Sequence, residues 1–338
     1  RLGRRPVLLG SLFGFAVDFL VMAFAPSLVW LFATRMLTGI FGATNGPSQS
    51  VIADVTGPDD RSRLFGYISA AFGVGFVAGP ALGGLLAEFD PRLPFYAASG
   101  LAAANFVYGA FALPETLVKE NRRAFDWKRA NPVGALLTVR KLPGLLPISV
   151  VYLAWQLASL IYPMTWSYFT IGRYGWSNAM IGLSLALMGV SMALTQIVFS
   201  SRIIARFGER RTATLGMLGG ALGMIGFAVT TNGWLAFAMM PFLAVQSLVH
   251  PCLTAMMSRR ANATNQGEIQ GFASSVMAVG SVIAPMVFNP ALSWFTGPKA
   301  PFQFYGIAFV LAALFALAGL VILLAMAPAQ RADPAIAD

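Results

Sequence analysis

The chain has 338 residues, 57% of them hydrophobic and only 11% charged, against roughly 25% charged in ordinary soluble domains, so a water-soluble surface is excluded. Its net charge of +10 sits in short segments between apolar blocks, a pattern that reports membrane topology rather than nucleic acid as a partner. With a single cysteine, Cys252, and a single histidine, His250, neither an internal disulfide nor a Cys/His metal cluster is available.

Uninterrupted apolar blocks of about 20 to 25 residues, enough to cross a ~30 Å hydrocarbon core at ~1.5 Å per residue, predict an all-α polytopic membrane protein. Ten spans are predicted, near residues 6–25, 28–51, 64–87, 94–113, 144–168, 178–200, 212–231, 234–257, 271–295 and 303–327. The leading Arg1-Leu2-Gly3-Arg4-Arg5 reads as the middle of a loop, so further sequence is expected before it.

The first span carries Asp18 on a face shared with Ser11 and Gly14. A charged side chain at mid-membrane costs on the order of 3 kcal/mol or more, which makes it a functional candidate. In the second span, Arg35 stands nine residues after the turn at Pro26, while Asp18 stands eight before it. Both therefore lie ~12 Å below the same surface. Two readings stay open: Asp18 exchanges a proton with Arg35 opposing the rise of its pKa, or the pair is a static lock between helices. The second span also aligns Arg35, Gly39, Gly42, Gly46 and Gln49, with Asn45 beside them. Such a stripe either seats close helix packing or lines a wet cavity with Asn45 and Gln49.

The third span holds Gly75, Gly79 and Gly83 at four-residue spacing with Pro80 among them, which predicts a close-packed, bendable helix with a structural or gating role. No strand precedes it, so it is not a phosphate-binding loop. Residues 114–143 form the longest polar stretch and read as a linker between an N-terminal bundle, 1–113, and a C-terminal bundle, 144–338. The fifth span aligns Tyr152, Gln156, Ser159, Pro163 and Trp166, and Gln196, Gln246 and His250 are polar groups within later spans. Aromatics mixed with amides suit a flat amphipathic ligand; the competing reading is interhelical hydrogen bonding worth about 0.6 kcal/mol each. Asn262-Ala263-Thr264 matches a glycosylation sequon but falls in a segment expected to be cytoplasmic.

Nineteen of the 23 basic residues fall on the side that holds both chain ends; Arg92, Arg173 and Lys299 fall on the other, and Arg35 within a span. The positive-inside rule then places both ends in the cytoplasm. A shift of 205 positions superposes Arg1-Leu2-Gly3-Arg4-Arg5 on Arg206-Phe207-Gly208-Glu209-Arg210, and Gly66, Gly75 and Pro80 on Gly271, Gly280 and Pro285. That is a duplication, the usual build of secondary transporters. Its offset implies two helices before residue 1, which would make this ten of twelve.

Gly3-Arg4-Arg5-Pro6 resembles the end of the loop motif of the major facilitator superfamily, Arg35-x-x-x-Gly39 its helix-four motif, and the run from Gly75 to Gly84 the helix-five motif of drug/proton antiporters. Ala16-Val17-Asp18-Phe19, Ile52-Ala53-Asp54-Val55, Phe76-Val77-Ala78-Gly79-Pro80 and Ala205-Arg206-Phe207-Gly208-Glu209-Arg210-Arg211 are similar to stretches of the tetracycline efflux family. The resemblance implies two pseudo-symmetric bundles and a rocker-switch exporter of the bacterial inner membrane. Asp18 would belong to the acidic set needed for antiport, and Asp54 would pair with loop arginines such as Arg5 in a conformational latch. Partners would be a small-molecule drug, protons and the lipid bilayer, with a monomer, no cofactor and the proton gradient as energy source. The sequence departs from that family at Gly220, where it carries a helix-nine acid, and at Met192, where it carries a histidine. The rivals are a metabolite or sugar carrier, a membrane enzyme, and a truncated remnant that transports nothing.

Overall fold

A computed structural model describes residues 3–41, 48, 51, 58–116, 145–259 and 266–326. Among the described residues all regular structure is helical, and every predicted span coincides with helix over most of its described residues. The order is α1 (Arg4–Ala23), α2 (Leu28–Phe41), α3 (Pro58–Phe89), α4 (Leu93–Ala112), α5 (Leu145–Ser159), α6 (Ile161–Tyr174), α7 (Asn178–Leu194), α8 (Ser200–Val229), α9 (Gly233–Leu243), α10 (Val249–Ser258), α11 (Gln266–Thr296) and α12 (Ile307–Ala325). The count exceeds ten because two spans are interrupted. Pro163 has no N–H for the carbonyl of Ser159, and α5 gives way to α6 at Leu160. Between α9 and α10 the chain tightens into a 3₁₀ turn, Ala244–Leu248, and between α7 and α8 it widens into a π turn, Thr195–Phe199.

Large apolar side chains cover the outside: Phe111 is 88% exposed, Phe242 81% and Ile197 80%. Such a surface is stable only against hydrocarbon, where helices satisfy their own backbone. Where the chain leaves the apolar layer, local chemistry ends the helices. Gly175, at φ 63°, closes α6, and the Asn232 side chain opens α9 by accepting from the Trp234 N–H at 2.9 Å.

The chain divides into two compact units: Arg1–Trp127 with Ser177–Gly189, and Lys128–Trp176 with Val190–Asp338. Residues 117–144, most of the predicted linker, lie outside the described residues. In the first unit α1 packs along α4, pinned by the Ser99 hydroxyl donating to Ala16 O at 2.7 Å and by the Phe13–Phe106 contact at 5.7 Å. The first half of α7 belongs with this unit because two backbones meet there. A Cβ on Gly84 would fall 2.5 Å from Asn178 O, and one on Gly182 within 2.4 Å of Pro80 O. Glu88 completes the contact by accepting the Ala179 N–H at 2.8 Å, capping α7 from α3.

In the second unit a row of glycines on α8 lets neighbours in: Gly216 faces Val249, Gly220 faces Trp155, Gly223 faces Leu243 and Gly226 faces Met239. The duplication reappears here in the backbone. Gly3 has φ 102° and ψ 167°, and its counterpart Gly208 has φ 75° and ψ 163°, a region open in practice only to glycine. Each is followed by an arginine that holds the C-terminal carbonyls of its unit's last helix. Arg5 Nη2 donates to Ala110 O at 2.6 Å, and Arg210 Nη2 donates to Leu323 O at 3.0 Å and also to Met326 O. Four orphan carbonyls end every helix, so a guanidinium there is stabilising. Gly208→Ala should therefore lower stability by about 1–3 kcal/mol, read as a lower unfolding midpoint in detergent; an unchanged midpoint would contradict the strain.

Candidate functional site

Asp18 is 4% exposed and shares its buried face of α1 with Leu8, Ser11 and Gly14. The Arg35 guanidinium donates Nη2–H to Asp18 Oδ2 at 3.0 Å, and the Thr38 hydroxyl lies 2.8 Å from the same oxygen. Thr38, three residues beyond Arg35 and so on the same helix face, escaped the sequence reading because threonine in an apolar span is unremarkable. Its signal was the i, i+3 spacing. The geometry is lopsided: Oδ2 has the Arg35 donor and lies near the Thr38 hydroxyl, whose one proton Thr34 O at 2.9 Å also accepts, whereas Oδ1 is buried with no partner. A buried carboxylate oxygen without a donor is costly when charged. Arg35 is 51% exposed at the side chain and Asp18 2%.

The polar residues of the second unit are placed differently from one another. Trp166 is 3% exposed and sits inside an aromatic cluster with Phe227 at 5.1 Å, Phe309 at 5.9 Å and Tyr162 at 6.1 Å. Gln246, 3% exposed, donates Nε2–H to Tyr162 Oη at 3.2 Å. Gln156, 6% exposed, lies against Gly280, whose Cβ position is 3.2 Å from its Cγ. His250 alone of these four is exposed, with Nε2 2.7 Å from the hydroxyl of buried Tyr152. At Gly220 a side chain would meet Trp155 at 2.7 Å and Gln246 Oε1 at 3.2 Å. The place of the helix-nine acid is closed by packing.

Asn45, Gln49 and Asp54 lie outside the described residues. Gly3 opens α1 and Arg5 bonds Ala110 O as described above. The predicted packing face of α3 shows a difference: Gly75, Gly79 and Gly83 each have open space where a Cβ would stand, and the close approach falls on Pro80 and Gly84. Residues 80 and 84 are one position on from 79 and 83, about 100° around the helix, so the seam runs beside the glycine row. Glu88 stands one residue beyond the predicted span 64–87, and its carboxyl is held below the ordinary range, chiefly by the Ala179 N–H. A depressed pKa means the cap is intact above the ordinary glutamate value and is lost only as pH falls through the lower folded value. Among the described residues no group of His, Cys, Asp and Glu is placed to hold a metal.

The family model "Major Facilitator Superfamily" matches residues 1–285 and 148–337. The chain is 39% identical to the class C tetracycline resistance protein of Escherichia coli, over 85% of this chain and 72% of that protein. It is 36% identical to the class G tetracycline resistance protein of Vibrio anguillarum, over 86% and 74%. Among solved structures, the nucleoside transporter NupG superposes with a TM-score of 0.76 at 13% identity, over 96% of this chain and 83% of that one, which speaks to fold alone. The chain is a multi-pass membrane transporter of the Major Facilitator Superfamily and belongs, within it, with the tetracycline resistance proteins.

Proposed function

We propose that the protein exports an amphipathic drug, tetracycline-like or otherwise, across a bacterial inner membrane in exchange for protons, by alternating access and with both chain ends in the cytoplasm. The observation that carries this is the Asp18 carboxylate, buried at membrane depth with Oδ2 held by Arg35 and Oδ1 bare. A proton arriving on Oδ1 weakens the ion pair, and rebinding of the free carboxylate to Arg35 expels it. The two protonation states then favour different arrangements of α1 and α2, and drug binding selects between them. Each proton moved inward supplies ~1.4 kcal/mol per pH unit and ~2.3 kcal/mol per 100 mV. No covalent step is involved.

The similarity to tetracycline resistance proteins supports a drug as substrate. Trp155 and Gln246 closing the space at Gly220 supports a substrate preference that differs from theirs. The test is drug accumulation in cells lacking their own pumps and expressing the natural full-length protein, with tetracyclines and unrelated amphipathic drugs, with and without a proton uncoupler. Uncoupler-sensitive exclusion of at least one drug is expected. Failure to exclude any drug overturns the reading in favour of a metabolite carrier.

A further inference from the structure

The bond between Tyr152 and His250 lies in the second unit, the Asp18 pair in the first, and the bond stands where two helices lose their regular form. Pro251 cannot donate to the carbonyl of Ser247, four residues back, and Gln196, from the π turn, supplies the missing donor with Nε2 3.2 Å from Ser247 O. The 3₁₀ turn beside it carries two buried polar atoms without partners, Gln246 Oε1 and Ser247 Oγ. Short π and 3₁₀ insertions cluster at functional sites, and irregular backbone at membrane depth is tolerated where it is buried in protein or faces a wet cavity. α10 restarts at this point and presents His250, an exposed residue, with Nε2 on the Tyr152 hydroxyl.

We propose that the Tyr152–His250 pair is a second proton-accepting site, independent of Asp18. It rests on the antiport reading above and adds a second titrating position to it. The hydrogen bonds accommodate both protonation states without moving a heavy atom. With a neutral imidazole protonated on Nδ1, the Tyr152 hydroxyl donates to Nε2 at 2.7 Å. With an imidazolium, Nε2–H donates to the Tyr152 oxygen, and the hydroxyl turns to Thr254 Oγ1, with which Tyr152 also interacts. Thr254 has a lone pair to accept it, because its own proton is given to His250 O at 2.9 Å. Tyr152 is 1% exposed, so its ring is fixed and only the hydroxyl proton reorients.

The charged and titratable groups on the elements packed against α10 are few, and no ion pair joins any described one to Tyr152 or His250. On α8, Glu209 is bound to Arg259 at 2.6 Å and Arg210 to the end of α12, with Arg202, Arg206 and Arg211 in the same polar stretch. Arg259 is nine residues along from His250, ~13 Å at 1.5 Å per residue. Tyr152 is the titratable group of α5 and Cys252 the other one of α10; α11 carries Glu268, and the 3₁₀ turn carries none.

This chain has one histidine, so, purified through a histidine-free tag and labelled with 15N-histidine, it gives one imidazole signal. It should titrate in a single step between about pH 5 and 8. Tyr152→Phe, which removes the switching hydroxyl, should move that step by about half a pH unit or more. In proteoliposomes His250→Gln should lose the matching step of the pH–efflux profile while Asp18-dependent coupling persists. An imidazole that does not titrate between about pH 5 and 8, a step unmoved in Tyr152→Phe, or an unaltered pH profile in His250→Gln would each overturn the proposal. The titration is read without transport, so a protein that titrates but shows no uncoupler-sensitive efflux indicts the antiport reading instead.

Discussion

Replacing Asp18 by Asn should leave the protein folded in the membrane and remove uncoupler-sensitive drug efflux. Asparagine matches aspartate in shape, and its side-chain oxygen still accepts from Arg35 and Thr38, which now meet Oδ2 at 3.0 and 2.8 Å. Arg35 stays bonded to the amide oxygen, so it is not left without a partner and the usual penalty for breaking an ion pair is reduced. What the amide cannot do is take up and release a proton. One proton exchanged per drug sustains about a tenfold drug gradient per pH unit; an uncoupled carrier sustains none. Accumulation assays on membranes with matched protein levels measure the difference. The double substitution Asp18→Asn with Arg35→Gln separates the two readings of the pair. A static lock, being neutral on both sides, would recover efflux in the double variant, whereas a proton-exchanging Asp18 leaves it as inactive as the single one.

Asp18 and Arg35 were legible together because both violate the solvent rule of an apolar span, and because counting from Pro26 put them at one depth; the antiparallel pair α1 and α2 then had to bring them close. The duplication was legible for a similar reason, since Gly3 and Gly208 occupy a backbone region that other residues avoid and so announce themselves at one offset. Side-chain neighbours across helices were not. Nothing in the fifth span marks Tyr152 rather than Gln156 as the partner of His250, and nothing in Trp166 says that Phe227 and Phe309 surround it, because hydrophobic period tells which face is inside without telling what it meets. The π turn at Thr195–Phe199 has no residue signature, and the 3₁₀ turn has only Pro251 behind it.

The same limit explains α3. A row of glycines every four residues is the expected seam of a membrane helix, but the helix also carries Pro80, whose missing N–H loosens the ladder one turn earlier. The seam that forms runs through Pro80 and Gly84, and it ends at Glu88, whose carboxylate takes the Ala179 N–H in the first turn of α7. A capping charge at one end and bare backbone contact along the rest fix α3 and the first half of α7 to one another.

Gly84→Ala should accordingly be among the most damaging single-methyl changes in the chain. The new Cβ would stand 2.5 Å from Asn178 O and 2.9 Å from Gly182 Cα, both backbone atoms that cannot swing aside. The helices must separate, and overpacking of this kind costs about 1–3 kcal/mol. Gly83→Ala is the matched control: the same methyl one residue earlier meets nothing within 4 Å, and alanine in a helix is favoured over glycine by roughly 0.5–1 kcal/mol. Unfolding midpoints in detergent should fall for Gly84→Ala and hold or rise for Gly83→Ala, with efflux following the same order. Because the Gly182 Cβ position lies 2.4 Å from Pro80 O, Gly182→Ala should reproduce the loss from the opposite helix. Equal midpoints for the Gly83 and Gly84 variants would mean that α3 and α7 do not meet backbone to backbone.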